Sequence, residues 1–167
     1  MEDPAPTRSG WSALNVWMHW LIVLLIVVQI LDHEAMEEAW HAQMQGTAAT
    51  ADGSYAWLHV AVGILILAFA LTRLADRFIR GRPPHPTGEP TWTLWLAKIV
   101  HFLLYTLLIL MPISGMVAWF GGVGPAGFAH GTMWTILLVL IGLHVLGALA
   151  QHFVFKTNVL TRMFKPG

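Results

Sequence analysis

Four long apolar segments follow one another along the chain, at residues 14–31, 57–74, 94–120 and 133–155. Each is close to the roughly 20 residues that an α-helix needs to cross the hydrocarbon core of a bilayer. None shows the alternation of a barrel strand, and backbone groups in lipid must satisfy one another, so we expect helices. Four spans with short loops predict an all-α, up-down-up-down bundle in a single domain over residues 1–167, with helices at about 12–31, 57–77, 94–120 and 131–156.

The composition indicates the surroundings of these helices. Hydrophobic residues make up 56% of the chain and charged residues 11%, against roughly 25% charged in a soluble domain. We therefore expect membrane lipid, and not nucleic acid, as the main partner. The chain has no cysteine, which excludes disulfides, iron–sulfur clusters and thiolate ligands and makes histidine the obvious ligand for a metal cofactor.

The charged residues predict the orientation in the membrane. The basic residues all lie on the two tails or around the second loop: Arg8, Arg73, Arg77, Arg80, Arg82, Lys98, Lys156, Arg162 and Lys165. The first loop carries only acids, namely Asp32, Glu34, Glu37, Glu38 and Asp52. By the positive-inside rule both termini lie in the cytoplasm, and the first and third loops face outward.

Histidines occur at matching depths in these spans. His130 and His144 are fourteen residues apart, about 40° short of four helical turns, so they share a face and lie about 21 Å apart along the axis. His59 and His130 lie toward the outside, where they could meet one iron. His19 and His144 lie toward the cytoplasm and could meet another, with His101 as a rival inner ligand. Spacing does not choose between His19 and His101.

Any one of these histidines could simply bond a serine, a backbone carbonyl or a water inside the bundle. Ionisable residues in membrane helices are costly, however, so depth-matched pairs favour a function. Zinc usually takes four tetrahedral ligands, whereas these histidines fall into two separated pairs. The hypothesis is two haems with two axial histidines each. A zinc site or a proton relay is the chemical alternative, and a transporter or proton channel would need no haem.

Several segments carry a family resemblance: Met18-His19-Trp20-Leu21, Leu58-His59-Val60 with Gly63, His101 with Tyr105 and Pro112-Ile113-Ser114-Gly115, Gly142-Leu143-His144, and the run from Ala148 through Gln151-His152-Phe153 and Lys156-Thr157-Asn158 to Arg162-Met163. Over nearly its whole length the chain resembles the bacterial cytochrome b561 family, which belongs with the cytochrome b subunits of nickel–iron hydrogenases.

The resemblance implies a multi-pass protein of the bacterial inner membrane that holds two haem b groups. It pairs His19 with His144 at the cytoplasmic haem, and His59 with His130 at the outer one. It also implies electron exchange with ubiquinone. One branch of the family oxidises superoxide at the periplasmic face and reduces quinone, so this oxidoreductase activity is the leading specific hypothesis.

Some expectations remain open on the sequence alone. The acidic first loop disfavours steering of the superoxide anion, so a soluble cytochrome or a dehydrogenase could supply electrons there, with this chain as its haem-bearing membrane anchor. His152 and Lys156, with His101, are the candidates for the quinone site. His33, Glu37 and His41 stand at four-residue spacing, which fits a metal site but is better explained by an amphipathic surface helix.

Overall fold

The computed structural model describes residues 10–47, 53–81, 83–84 and 90–167. Arg8, Asp52 and Arg82 of the charge pattern lie outside these residues. The described residues form these helices: α1 Ala13–Leu31, α2 His33–Gln45, α3 Ser54–Arg80, α4 Thr91–Gly121, α5 Gly124–Phe153, and a 3-10 turn at Thr161–Met163. Helices α1, α3, α4 and α5 are long and apolar enough to cross a membrane. The all-α bundle with four spans is confirmed.

The four long helices alternate in direction. Helix α1 packs on α3, α3 on α4, and α4 on α5; within the described ranges no comparably close backbone packing joins α5 back to α1. The start of α1 meets the C-terminal residues at one end of the bundle, where the Gly167 N–H donates to the Trp11 carbonyl at 3.1 Å and Trp20 Nε1 donates to the Met163 carbonyl at 2.7 Å. We call this the basic end, after Arg73, Arg77, Arg80 and Arg162, and the opposite end the α2 end.

The bundle is apolar on its outside as well as in its core. The buried core is formed by Ile22, Val62, Ile66, Ala70, Leu107, Leu108, Met111, Leu137 and Leu140. Large apolar side chains also point outward on every long helix; Phe102 is 69% exposed and Leu146 is 64% exposed. In water such a surface would be unfavourable, whereas lipid tails solvate it.

The fourth span differs from its predicted bounds of 131–156. Helix α5 begins at Gly124, seven residues earlier, so His130 lies well inside the helix and not before it. The helix continues through its glycines, and Pro125 fits its first turn. Gly127 is needed for another reason, because a Cβ there would come within 2.6 Å of the Trp40 ring. Gly127 thus gives room for α2 to pack against α5.

The C-terminal end of α5 also differs. The helix ends at Phe153, three residues before the predicted end. Lys156 adopts a positive φ of 53°, and the Thr157 N–H turns back to the Gln151 carbonyl at 2.9 Å. The Thr157 hydroxyl adds a bond to Gln151 Oε1 at 3.1 Å. Helices α3 and α4 extend up to three residues beyond their predicted ends.

Helix α2 is the surface helix that the four-residue spacing in the first loop favoured. Its Glu37 carboxylate lies 4.0 Å from His33 Nε2 and 3.7 Å from His41 Nε2, and all three side chains are substantially exposed. Gly46 ends the helix with a positive φ of 65°. Gln43 Nε2 donates to the Trp119 carbonyl at 3.0 Å, which ties α2 to the end of α4.

A buried polar cluster joins α1 to α3 at the basic end. Asp76 accepts hydrogen bonds from the Ser12 hydroxyl at 2.6 Å and from Asn15 Nδ2 at 3.3 Å. Its other oxygen pairs with Arg80 Nε at 2.9 Å. Ser12 also caps α1 by accepting from the Asn15 N–H at 3.1 Å. One buried carboxylate therefore fixes the start of α1 against α3.

Replacing Asp76 with alanine should destabilise the bundle by about 1–3 kcal/mol, because Ser12, Asn15 and Arg80 would all lose their shared acceptor. Denaturation of the detergent-purified protein, followed by circular dichroism, measures this loss. Glu34→Ala, which removes an exposed acid from the first turn of α2, is the control and should lower the midpoint much less. An Asp76→Ala midpoint equal to that of the wild type would contradict the role of the cluster.

Candidate cofactor sites

Two pairs of histidines face each other inside the bundle. The ring centres of His59 on α3 and His130 on α5 are 6.1 Å apart, and those of His19 on α1 and His144 on α5 are also 6.1 Å apart. Two metal–nitrogen bonds of about 2.0 Å, each followed by roughly 1.1 Å from nitrogen to ring centre, would put two axial imidazoles about 6 Å apart. Both pairs therefore have the separation that one metal ion between them requires.

At the α2 end, His59 is held by a buried carboxylate. Asp32 Oδ1 lies 3.0 Å from His59 Nδ1, and the side chains of Asp32 and His59 are 4% and 15% exposed. An ionised carboxylate only accepts, so His59 Nδ1 carries the proton and Nε2 keeps its lone pair. Gln29 Nε2 donates to the His59 carbonyl at 2.9 Å and fixes the backbone behind the ring.

His130 is held in the same protonation state by the backbone of α4. Its Nδ1 donates to the Met111 carbonyl at 2.8 Å, which again leaves Nε2 as the free donor atom for a metal. The ring lies directly over Gly115, where a Cβ would come within 2.9 Å of two ring atoms. The Ser114 hydroxyl also donates to the Met111 carbonyl, at 2.7 Å. Ser114 and Gly115 of the Pro112-Ile113-Ser114-Gly115 segment thus have a physical role in seating His130.

A cavity of about 790 Å³ surrounds this pair. Its volume lies within the range of about 300–1,000 Å³ found for small-molecule and cofactor sites. Its lining is largely apolar and includes Gly63, Gly131 and Trp134, with His59 and His130 among its few polar groups. Helix α2 covers the outer side: the His33 ring stacks on Trp134, with ring centres 5.4 Å apart and an interplanar angle of 27°.

Two buried oxygens close to this pair have no hydrogen-bond partner among the described residues: Gln29 Oε1 and Asp32 Oδ2. A buried oxygen without a partner carries a desolvation cost, so such atoms commonly mark a functional site. The unpaired oxygens, the apolar cavity and two Nε2 donor atoms fit a planar, largely apolar cofactor with a metal at its centre.

At the basic end, three histidines meet rather than two. The His144 ring centre lies 5.0 Å from that of His101 and 6.1 Å from that of His19. His101 Nδ1 donates to the Ala97 carbonyl one turn earlier at 2.6 Å. A separation of 5.0 Å is too short for two imidazoles on opposite sides of one metal ion. The geometry therefore favours His19 with His144 as the ligand pair, and places His101 beside it.

His19 has a neighbour, Arg73, that the sequence did not predict. Arg73 Nη1 lies 3.1 Å from His19 Nδ1, and its Nε donates to Asn15 Oδ1 at 3.2 Å. A guanidinium can only donate, so His19 Nδ1 accepts here and the neutral ring carries its proton on Nε2. Both Arg73 and Arg77 also lie 5.7 Å from the centre of the Tyr105 ring. The basic end thus places the Arg73 guanidinium next to the pair, with Arg77 beside the same Tyr105 ring.

The residues predicted for a quinone site are spread apart. His101 contacts His144 within the bundle, whereas His152 lies eight residues further along α5, is exposed and packs on Phe153 with ring centres 4.8 Å apart. Lys156 follows the end of α5 and is exposed.

Comparison with known proteins identifies the family. The family model of prokaryotic cytochrome b561 matches residues 10–166. The chain belongs to the prokaryotic cytochrome b561 family. It is a multi-pass bacterial membrane protein of the electron-transfer type, and the cytochrome b family implies haem b as its cofactor. The resemblance found in the sequence is confirmed.

Three relatives align over nearly the whole chain. The chain is 33% identical over 161 residues to cytochrome b562 of Cereibacter sphaeroides, covering 95% of this chain and 98% of the relative. It is 28% identical over 179 residues to the probable superoxide oxidase CybB of Yersinia pestis, covering 93% and 96%. It is 23% identical over 179 residues to cytochrome b561 homolog 1 of Escherichia coli K12, covering 93% and 97%.

Replacing Gly115 with alanine should lower the haem content of the protein. The new methyl group would overlap the His130 ring and push it away from His59. Haem per chain, measured by pyridine haemochrome on purified protein, tests this. Gly147→Ala on α5 is the matched control, because nothing lies within 4 Å of its Cβ position. Full haem content in Gly115→Ala would contradict the role of this contact.

Proposed function

We propose that this protein binds two haem b groups and carries electrons across the bacterial inner membrane to ubiquinone. His59 and His130 hold the haem at the α2 end, and His19 and His144 hold the haem at the basic end. The termini lie in the cytoplasm and α2 in the periplasm, as the distribution of basic residues favours. The most specific form of this function is oxidation of superoxide at the periplasmic face with reduction of quinone.

The observation that supports the proposal best is the repeated ring separation of 6.1 Å in two histidine pairs, one between α3 and α5 and one between α1 and α5. At the α2 end the hydrogen bonds of both rings also leave Nε2 free to bind a metal. Structural zinc would want four protein ligands, whereas no three or more side chains among the described residues are arranged to hold one metal ion, and this includes the three histidines of the basic end. Haem needs only two protein ligands.

Haem b held by two imidazoles supplies one-electron redox chemistry and has no open coordination position. The protein supplies the ligands, the apolar surroundings and the spacing. His130 and His144 lie on one helix, about 21 Å apart along its axis, so α5 alone sets the distance between the two sites.

Arg73 has a second role in this proposal. Binding of a metal at His19 Nε2 needs the ring proton on Nδ1, so the contact between Arg73 and His19 has to open. The released guanidinium remains anchored through its Nε to Asn15 Oδ1. A haem propionate is the anion that it would pair with at this end.

The reaction balances in one-electron steps. Each superoxide gives up one electron and leaves as O2; two such electrons and two protons convert one quinone to quinol. The quinone reacts at the basic end, where His101, His152 and Lys156 are the candidate residues for binding it or delivering protons. The relative described as a probable superoxide oxidase supports this reaction at 28% identity.

The charge of the α2 surface favours a second candidate donor. Glu34, Glu37 and Glu38 lie exposed on α2, and the first loop has no lysine or arginine. Such a surface repels an anion and attracts a cationic protein, so a basic soluble cytochrome or a dehydrogenase subunit could deliver electrons here. The chain would then act as the haem-bearing membrane anchor of that donor.

Single alanine replacements of the four proposed ligands should each remove one haem. We expect about one haem per chain in the variants of His19, His59, His130 and His144, and two in the wild type, by pyridine haemochrome and by the reduced α-band of the optical spectrum. His101→Ala is the matched control and should keep two. Two haems in His19→Ala together with one haem in His101→Ala would show that the ligand at the basic end is assigned to the wrong histidine.

Stopped-flow mixing of oxidised protein with superoxide separates the two donors. If superoxide is the donor, haem reduction should outpace spontaneous dismutation, and added ubiquinone should reoxidise the haem. Replacing Glu34, Glu37 and Glu38 together with glutamine should then accelerate reduction, because the repulsion is removed. The same triple variant should slow reduction by a basic cytochrome. No reduction by superoxide in either protein would exclude the oxidase reaction.

A further inference from the structure

Asp32 stands where an N-cap residue stands, but its carboxylate does not cap. It ends α1 and precedes α2, and its side chain makes no capping hydrogen bond to the first turn of α2. Instead Oδ1 turns inward to His59 Nδ1, at 3.0 Å, and the side chain is 4% exposed. Aspartate is a favoured N-cap because its oxygen accepts from the helix start, so this orientation gives up a common stabilising contact.

Burial without a full set of partners adds a cost. Oδ2 of the same carboxylate has no hydrogen-bond partner among the described residues. A buried charge that is only partly satisfied lowers stability unless another group stabilises it. The hydrogen bond with His59 is the contact that this buried carboxylate makes, so we take it to be the reason for its inward orientation.

A carboxylate on the outer nitrogen of a metal-ligating histidine acts on the metal through the ring. The hydrogen bond fixes the ring orientation and makes the inner nitrogen a stronger electron donor. A stronger donor and a nearby negative charge both favour the oxidised, more positive state of iron. The other three proposed ligands have no carboxylate in this position: His130 bonds a backbone carbonyl, His144 lies beside other imidazole rings, and His19 contacts a guanidinium that has to move when a metal binds.

We propose that Asp32 is a positioning residue that lowers the reduction potential of the haem held by His59 and His130, and so directs electrons from the α2 end to the basic end. The inference rests on the proposed function, since it needs both haems. Arg73, which lies beside His19, acts in the opposite sense at the other site, because positive charge near the iron stabilises the reduced state. The two ends of the bundle are thereby made electrostatically unlike.

Redox titration of the purified haem-loaded protein tests this, with one haem removed at a time to assign the midpoints. His19→Ala retains the haem at the α2 end, and His59→Ala retains the one at the basic end. The midpoint in His19→Ala should be lower than that in His59→Ala. The reverse order would overturn the proposed direction of electron transfer.

The key variant is Asp32→Asn, built in the His19→Ala background. Asparagine has the same shape and can still accept from His59 Nδ1, so the haem should stay bound while the charge is removed. The ferric–ferrous equilibrium should shift about tenfold toward the ferrous form, which is about 59 mV for a one-electron couple. The EPR signal of the low-spin ferric haem should change as well, because the ligand field of His59 weakens.

Glu34→Gln in the same background is the matched control: it removes a like charge from an exposed position two residues away, and its midpoint should equal that of the background. An unshifted midpoint in Asp32→Asn with haem fully bound would overturn the inference but leave the proposed function standing. Loss of the haem in Asp32→Asn but not in Glu34→Gln would replace the potential-setting role with a binding role. Absence of haem from the wild type would instead defeat the proposed function.

Discussion

The structure depends on one requirement: two imidazole rings from different helices must face each other with space for a metal ion between them. The bundle meets this requirement because α5 does not pack closely on α1 or α3 in the described part of the chain. Helices α1, α3, α4 and α5 pack in series, and the histidines of α1 and α3 reach across to α5. Gly115 lets the His130 ring of α5 lie against the backbone of α4, and Gly127 lets the Trp40 indole of α2 lie against the backbone of α5. Membership of the prokaryotic cytochrome b561 family accords with a bundle built around its cofactor.

Much of this arrangement could be predicted, because membrane spans and histidine depth follow from local sequence. Hydropathy located the four spans, and the offset between His130 and His144 placed both on one face of α5. The predicted beginning of α5, at residue 131, was wrong. A glycine-rich segment has a low helix propensity, and the sequence does not show that Trp40 of α2 packs against Gly127. Asp32 is 27 residues from His59 and Arg73 is 54 residues from His19. Such pairs depend on how the helices pack together. The only local signal for either pair is Asp32, an acid directly after the first span.

Charge is distributed along the bundle axis in a consistent way. Arg73 and Arg77 lie near His19 and Tyr105 at one end, and Asp32 lies on His59 at the other. A cytoplasm that is electrically negative opposes inward movement of an electron by about 2.3 kcal/mol per 100 mV for a full crossing. A higher reduction potential at the cytoplasmic haem than at the outer haem would offset part of that cost. The same arginines that favour the cytoplasmic location of their loop would then also favour the arrival of the electron.

Helix α5 runs without interruption from Gly124 to Phe153 and bears one ligand of each proposed pair. An α-helix resists stretching, since lengthening it would break its backbone hydrogen bonds. Thermal fluctuations that loosen loops or α2 therefore change the separation of His130 and His144, and of the two proposed metal centres, very little. In the proposed function, the scaffold therefore fixes the distance over which an electron has to hop.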